Sequence, residues 1–505
     1  MNETSWINCS SVAVAKSEKN CYPQVSPFHP SEKFPEFSSF PDFLPDKENH
    51  VFSAVREALA LITETNPGDF GWNPFSNLIQ TGDTVVLKPN FIKECHETKP
   101  DEWEQVITHG SIIRAVCDYV LLALNGTGKV IICDAPQTDS SFDKICRVSG
   151  AKNVVDWYNS WSKTPVELLD LRKEEWQSAN DVIIKRQKLP GDPAGYVAVN
   201  LGKDSEFFGI NPKHGFYGAD YETKITHVHH HGDVHEYLLS GTVMNADVVI
   251  NLPKLKTHKK TGITCALKNL VGINGDKNWL PHYILGSPEE GGDQFEKSSA
   301  KTFLERFLMT NIKRALFYSP SWLNHLFRPI KKAGKTVFGS THKVIRSGNW
   351  HGNDTTWRMV VDLNKCFFYF AKGQKSKVES QNEVAVNQNS KFKNRKYFTL
   401  VDGIIGGEGE GPLAPSAKNC GVIICGFNPV AVDTASAWLM GFAPEKLRLL
   451  TGSFECRNLP LRSFSIEDIL IRSNNEDWKG KLSDLENSSA FQFEPHFGWR
   501  GAIEQ

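Results

Sequence analysis

The sequence predicts an α/β fold: a mainly parallel sheet with helices on both faces, interrupted by a basic helical insertion. Two apolar runs of strand length, TVVLKPN after the turn Gly82-Asp83 and KVIICDAP after Gly128-Lys129, flank a segment of helical spacing near 109–125. Strand, helix, strand with continuously apolar strand cores is the pattern of a parallel sheet covered on both sides. The pattern returns in DVVINL (247–252), KYFTLVDGI and GVIICG, so the sheet draws on both halves of the chain.

Taken in order, residues 1–46 are rich in Ser, Pro, Asn and Phe without periodicity, and read as an irregular arm that packs its aromatics. Residues 50–64 repeat apolar positions at helical spacing and lie near the start of an α/β core assigned to 47–300. Within it, 150–240 is more polar and ends in the cluster His227, His229, His230, His231 and His235. Residues 301–346 carry ten Lys or Arg against one acid, Glu305, mixed with Phe303, Leu304, Phe307 and Leu308. Such a segment either lies on an anionic membrane surface or turns a solvated cationic face outward. The core resumes over 347–460, where 372–396 reads as a mobile polar loop and GGEGEGPLAP as a glycine-rich loop between two strands. Asn428-Pro429 opens a helix, with Asn as N-cap, Pro at the first helical position and Gly441 past its end. Residues 461–505 form a C-terminal extension.

A chain of 505 residues can bury a large core, and 40% hydrophobic against 23% charged residues is a globular balance. The net charge of −1 gives no global field for nucleic acid, and no basic-aromatic module is present, so no nucleic-acid partner is expected. Eleven Cys include no CxxC pair; Cys420 and Cys425, the closest two, are separated by four residues. A zinc ribbon or ferredoxin-type run is thereby disfavoured, and no iron–sulfur cluster is expected. The N-terminus lacks the basic and apolar regions of a signal peptide, and no apolar window is long enough to span a bilayer. The expected location is cytoplasmic, with peripheral membrane attachment through 301–346 as a variant.

The chemistry concentrates between Asn245 and Asp293. There DVVINL gives way to Lys254, Lys256, His258, Lys259 and Lys260, followed by Lys268, Asn269, Pro281-His282 and Asp293. Cations at the carboxyl end of a strand are how open α/β sheets build ligand sites. Crowded ammonium groups lower one another's pKa, which suits a carboxylate or phosphate ligand and makes a lysine basic or nucleophilic near neutral pH. His282 has the chemistry of an acid/base or a metal ligand. Asp293 either binds a hydroxyl or a cation, or forms a turn. Lys88 and Asn90 end the first strand and bring a charge and an amide to the same crevice. Glu408 and Glu410 supply acceptors for sugar hydroxyls, a divalent metal or a site lysine, while their charge and the missing Lys-Ser/Thr ending exclude a phosphate cradle. Arg358 either clamps a carboxylate or closes an ion pair with Asp354 at helical spacing. The histidine cluster, with Asp233 and Glu236, has metal-ligand residue types; His231 and His235 fit one helical face, His229 and His231 one strand face.

ADVVINLPKLKTHKKTGITCALKNLVGINGDKNWLPH, with VVLKPN, GNDTTWRM and GEGEGP…NPVAVDTASAWLMGF, closely resembles the domain of unknown function family 362, over about Val85 to Phe442. The resemblance implies an α/β fold and no established general activity. Some relatives carry a ferredoxin module whose cysteines this chain lacks. The order of elements is also remotely similar to the N-terminal part of the lactate racemase family. There a lysine anchors a nickel pincer cofactor, histidines transfer protons, and one histidine ligates nickel; His258, Lys268 and His282 fall at similar intervals. The sequence departs from that pattern at Ala266-Leu267, where the racemases have Gly-Gly, and at Lys88-Pro89-Asn90, where they have Asp-x-Thr-Arg.

The expected function is acid–base chemistry on a small anionic metabolite or acidic sugar derivative, isomerase-, racemase- or lyase-like. His258, Lys268 and His282 would be catalytic, and Lys88, Asn90, Lys254, Lys256, Asn269, Asp293, Arg358, Glu408 and Glu410 would bind. The alternative is a non-catalytic anion- or nucleotide-binding module of a membrane-surface or polysaccharide-related assembly.

Overall fold

Eleven strands share one sheet in the computed structural model, which describes residues 6–69, 71–179, 182–213, 215–218, 223–318, 344–370, 376–377, 383–385, 395–456 and 458–505. In chain order they are β1 (Ser11–Lys16), β2 (Thr84–Pro89), β3 (Lys129–Asp134), β4 (Val166–Asp170), β5 (Val248–Leu252), β6 (Lys254–His258), β7 (Gly262–Thr264), β8 (Lys396–Glu410), β9 (Ala414–Gly426), β10 (Leu470–Ser473) and β11 (Gly480–Lys481). Across the sheet the order is β11-β10-β1-β9-β8-β5-β2-β3-β4, with β6 beside β8 and β7 beside β6. The run β8-β5-β2-β3-β4 is parallel, as is β1 with β10; β9 is antiparallel to both its neighbours.

Alternation along the strands divides the core in two. Val12, Val14, Val86, Ile131, Cys133 and Val249 join one apolar cluster, together with helices Thr356–Tyr369 and Pro429–Leu439. Their neighbours Ala13, Ala15, Val85, Leu87, Val130, Ile132, Val248 and Ile250 join the other, with helices His50–Thr63 and Gly110–Leu124. Both faces of β1, β2, β3 and β5 are dry, as a continuously apolar strand core requires. Asn428 caps the helix Pro429–Leu439, its side chain accepting from the backbone N–H of Val430 at 2.8 Å and of Ala431 at 3.2 Å.

Three segments differ from the sequence reading. The N-terminal arm is not irregular throughout: β1 lies inside the sheet, antiparallel to β9 and parallel to β10, so the C-terminal extension also joins the sheet. The glycine-rich loop is mostly strand; β8 and β9 form one long hairpin with only Gly411–Leu413 at its turn. The histidine cluster does not lie on one helix, because Thr223–His229 is helical while His230–His231 pairs with Val234–Ser240. His229 stacks on Trp279 at 3.4 Å and meets Glu236 at 2.9 Å, while His230 is buried against the Trp279 carbonyl at 2.8 Å. Burial lowers the pKa of His230 to about 3 and that of His235 to about 4, which keeps both neutral. Among the described residues no group of three or more His, Cys, Asp or Glu is arranged to hold a metal ion.

Of the basic insertion, helix Ala300–Tyr318 is described through residue 318, and the cations Arg328, Lys331, Lys332, Lys335 and Lys343 lie outside the described residues. Most of 372–396 also lies outside, apart from Ser376–Lys377, Glu383–Ala385 and the start of β8. Among the described residues no helix is long and apolar enough to cross a membrane.

Candidate functional site

The parallel strands β2, β3 and β5 end on one side of the sheet, and a cavity of about 330 Å³ opens over them. Its walls bring Lys88 and Asn90 from the end of β2, Asp134 from β3, His258 from β6, and Lys268 and Asn269 from the turn after β7. His282 closes a further side, and Pro412 and Leu413 reach it from the turn of the β8–β9 hairpin. Pockets at the carboxyl ends of parallel strands are the general rule for such sheets, because chain reversals there leave a crevice.

A buried amide chain sets the floor. Lys256 donates to Asn90 Oδ1 at 3.1 Å, Asn90 Nδ2 to Asn269 Oδ1 at 2.9 Å, and Asn269 Nδ2 to Asn251 Oδ1 at 2.7 Å and to the Lys88 carbonyl at 3.1 Å. Asn251 continues to the Ala266 carbonyl and the Tyr397 hydroxyl, both at 2.9 Å. The amides of Asn90 and Asn269 are therefore committed to one another, and their work is to hold the floor in place. Asp433 anchors the turn that carries Lys268: its carboxylate accepts from the backbone N–H groups of Ala266 at 2.6 Å and Leu267 at 3.0 Å. Burial raises the Asp433 pKa to about 7.

The lysines of the cavity differ in what they touch. Lys88 is paired with Asp134 at 2.8 Å, Lys93 with Asp139 at 3.0 Å, and Lys277 donates to the Ala135 carbonyl at 2.9 Å. A Cβ on Gly272 would sit 1.9 Å from Asp134 Oδ1 and 2.6 Å from Lys88 Nζ, so only glycine admits that ion pair. Lys268 Nζ has no hydrogen-bond or ion-pair partner among the described residues. Burial first, then the charges of Lys277 and Lys88, bring its pKa down to about 7.

The two histidines are held in opposite tautomers. The backbone N–H of Lys260 donates to His258 Nδ1 at 3.1 Å, so that nitrogen keeps its lone pair and the proton sits on Nε2. His282 Nδ1 lies 2.9 Å from the Leu280 carbonyl, which only accepts, so Nδ1 carries the proton and Nε2 a bare lone pair. Burial and nearby lysines push both pKa values well below the usual histidine range, so both rings are neutral at pH 7. One imidazole thus offers an N–H and the other a lone pair.

Of the residues singled out in the sequence, Lys88, Asn90, His258, Lys268, Asn269 and His282 line this cavity. Lys256 is buried beneath it, bonded to Asn90 and to the carbonyls of Val106 and Pro412. The others stand elsewhere. Lys254 is fully buried between Asp402 at 3.1 Å and the Tyr22 hydroxyl at 2.5 Å. Asp293 ties the Pro281–Ile284 strand to the chain before helix Thr356–Tyr369, accepting from Ile284 N–H at 2.6 Å, Asp354 N–H at 2.9 Å and the Thr355 hydroxyl at 2.6 Å. Burial raises its pKa to about 6. Arg358 pairs with Asp354 at 2.8 Å and lines a separate cavity of about 710 Å³. Glu408 pairs with Lys418 and Glu410 with His496, both at 3.0 Å, on the flank of the hairpin.

Lys93, Asp134, Asp139 and Lys277 also line the cavity and were not singled out in the sequence. Asp134 carries the signal that was available, since it ends an apolar parallel strand just as Lys88 does.

Comparison with known proteins returns no curated relative. A crystal structure of a protein from Thermotoga maritima aligns with 10% identity and a TM-score of 0.28 over 71% of this chain and 55% of its own. This chain thus spans about half the length of that protein. The likeness to lactate racemase is not shown by these comparisons. The model of a family described as Domain of unknown function (DUF362) matches residues 85–203 and 194–438, which together span more than half of the 505 residues. The chain belongs to the family of domain of unknown function 362.

Proposed function

We propose that the cavity binds a small anionic metabolite and moves a proton on it, with His282 as base, His258 as hydrogen-bond donor or acid, and Lys268 as a group that is ammonium or amine near neutral pH. The observation that carries this reading is the pair of neutral histidines with opposite tautomers in one cavity, beside a lysine with no partner among the described residues. Removing a proton next to a carboxylate needs a lone pair at the C–H and a donor at the oxygen where charge develops. His282 Nε2 and His258 Nε2–H supply those two groups without first changing protonation state. Four lysines face three carboxylates, Glu97, Asp134 and Asp139, around the cavity, so with neutral histidines one positive charge is left for the ligand while Lys268 is protonated.

The reading is tested by incubating the full chain with a panel of 2-hydroxy acids, 2-oxo acids and sugar acids in D₂O. Deuterium at the C–H next to the carboxylate, or next to the carbonyl of a 2-oxo acid, seen by NMR for at least one member, is the expected result. No exchange and no ligand-induced rise in Tm across the panel would sink it.

A second reading concerns where the protein works. On helix Ala300–Tyr318, Phe303 is 61% and Phe307 60% exposed, next to exposed Leu304 and Leu308. The one acid of the segment, Glu305, is buried and paired with Arg346 at 3.2 Å, so it does not offset the segment's remaining cations. We propose that this face rests on an anionic membrane. The protein is expected to sediment with phosphatidylserine vesicles at about 0.1 M salt and to be released at about 0.5 M. Phe303→Ser with Phe307→Ser is expected to weaken binding at least about tenfold, from the apolar area withdrawn. Binding unchanged by both substitutions and by salt would overturn it.

A further inference from the structure

We propose that Lys268 is a nucleophile, and that the ligand of this cavity carries a carbonyl group with which its amine forms an imine. The inference rests on the reading of the cavity as a site for a small anion, and it names the class: a 2-oxo acid or an aldehyde bearing an acidic group.

An ammonium taken out of water needs acceptors, and three of the four lysines around this cavity have them: Asp134 for Lys88, Asp139 for Lys93, and the Ala135 carbonyl for Lys277. Lys268 has no acceptor among the described residues, and the groups that face it are cations or neutral rings: Lys88, Lys256, Lys277, His258 and His282. Asp134 is already shared between Lys88 and the backbone N–H groups of Phe91 and Ala135. Such surroundings favour the free amine, and its pKa falls to about 7. A desolvated lysine beside other cationic groups is the arrangement that makes an amine nucleophilic at neutral pH.

The surrounding groups match the proton movements of imine formation. The Lys268 nitrogen adds to the carbonyl carbon; the C–N bond forms, the C=O π pair moves to the oxygen, and His258 Nε2–H hydrogen-bonds the alkoxide. His282 Nε2 removes a proton from the nitrogen and delivers it to the oxygen, giving a neutral carbinolamine. The C–O bond then breaks as His282 relays the second nitrogen proton to the departing oxygen, which leaves as water, so amine and carbonyl become imine and water with no change in oxidation state. Lys277 and Lys88, also on the cavity wall, face the carboxylate. A protonated imine would also withdraw electrons from the adjacent C–H, which links this step to the proton transfer assigned to His282.

Reductive trapping tests the proposal. The full chain is treated with pyruvate or glyoxylate and cyanoborohydride, and peptides are mapped by mass spectrometry. Labelling is expected at Lys268 on the order of 10- to 100-fold faster at pH 7.5 than at exposed lysines, whose ordinary pKa is about 10.4. The rate is expected to rise with pH and level off above about 7, because the amine is the reactive form. Lys268→Arg is expected to abolish the fast labelling while the Tm stays near that of the parent. Labelling spread over exposed lysines with no excess at Lys268 would overturn the imine. Calorimetry with lactate, which has the carboxylate but no carbonyl, separates the two readings: lactate binding without trapping overturns the imine alone, and no binding of either acid overturns the anion site as well.

Discussion

Lys254→Ala is expected to cost the fold about 3–5 kcal/mol, the usual penalty for removing one member of a buried ion pair. Lys254 and Asp402 are both fully buried, 3.1 Å apart, and Asp402 also accepts from the His109 backbone N–H at 3.0 Å and from the Tyr22 hydroxyl. Tyr22 stacks on His109 at 4.0 Å, so this cluster joins the N-terminal arm to the central strands. Taking away the ammonium leaves the Asp402 carboxylate charged in a dry site with only neutral donors. Urea unfolding should show the loss as a lower midpoint, whereas ligand binding by the fraction still folded should keep its affinity. A variant as stable as the parent that no longer binds a ligand would instead place Lys254 in the binding site.

His282→Gln is expected to lower the proton-exchange rate by about 10²–10⁴-fold, the range for loss of a positioned general base. An amide at this position can reach the space of Nε2 but has no basic lone pair. His258→Gln should be milder, because the glutamine NH₂ preserves a donor where the Nε2–H stood. Both variants are expected to unfold within a few degrees of the parent, since each ring meets the cavity on its functional side. Equal rate losses in the two variants would contradict the opposite tautomers, and a large fall in Tm for both would assign the pair a structural role.

Much of the fold was legible because local composition reports it. The apolar runs at 84–89, 129–134 and 248–252 become neighbouring parallel strands, and their unbroken hydrophobicity reflects burial on both faces. The run SVAVAK is only six residues long and sits in a polar, Pro-rich arm, so nothing nearby marked it as β1. Its partners are β9 and β10, more than 400 residues away in sequence. The glycines and glutamates of 406–411 have the composition of a loop, yet pairing with β9 extends β8 through Glu410. Here tertiary pairing overrode propensity.

By itself, the sequence determined which residues gather around one cavity: those at the ends of β2 and β5 and in the segment that follows, with Lys88, His258, Lys268 and His282. Parallel strands of apolar composition must end in a crevice, and polar residues at those ends have few other places to go. Only the tertiary structure decided which of those residues are free. Lys254 and Lys268 look alike in sequence, both following an apolar strand. Lys254 meets Asp402 from 148 residues further on and Tyr22 from 232 residues earlier, while Lys268 meets no acceptor among the described residues. The charge state of a buried lysine depends on such distant partners, and folding alone brings them within reach.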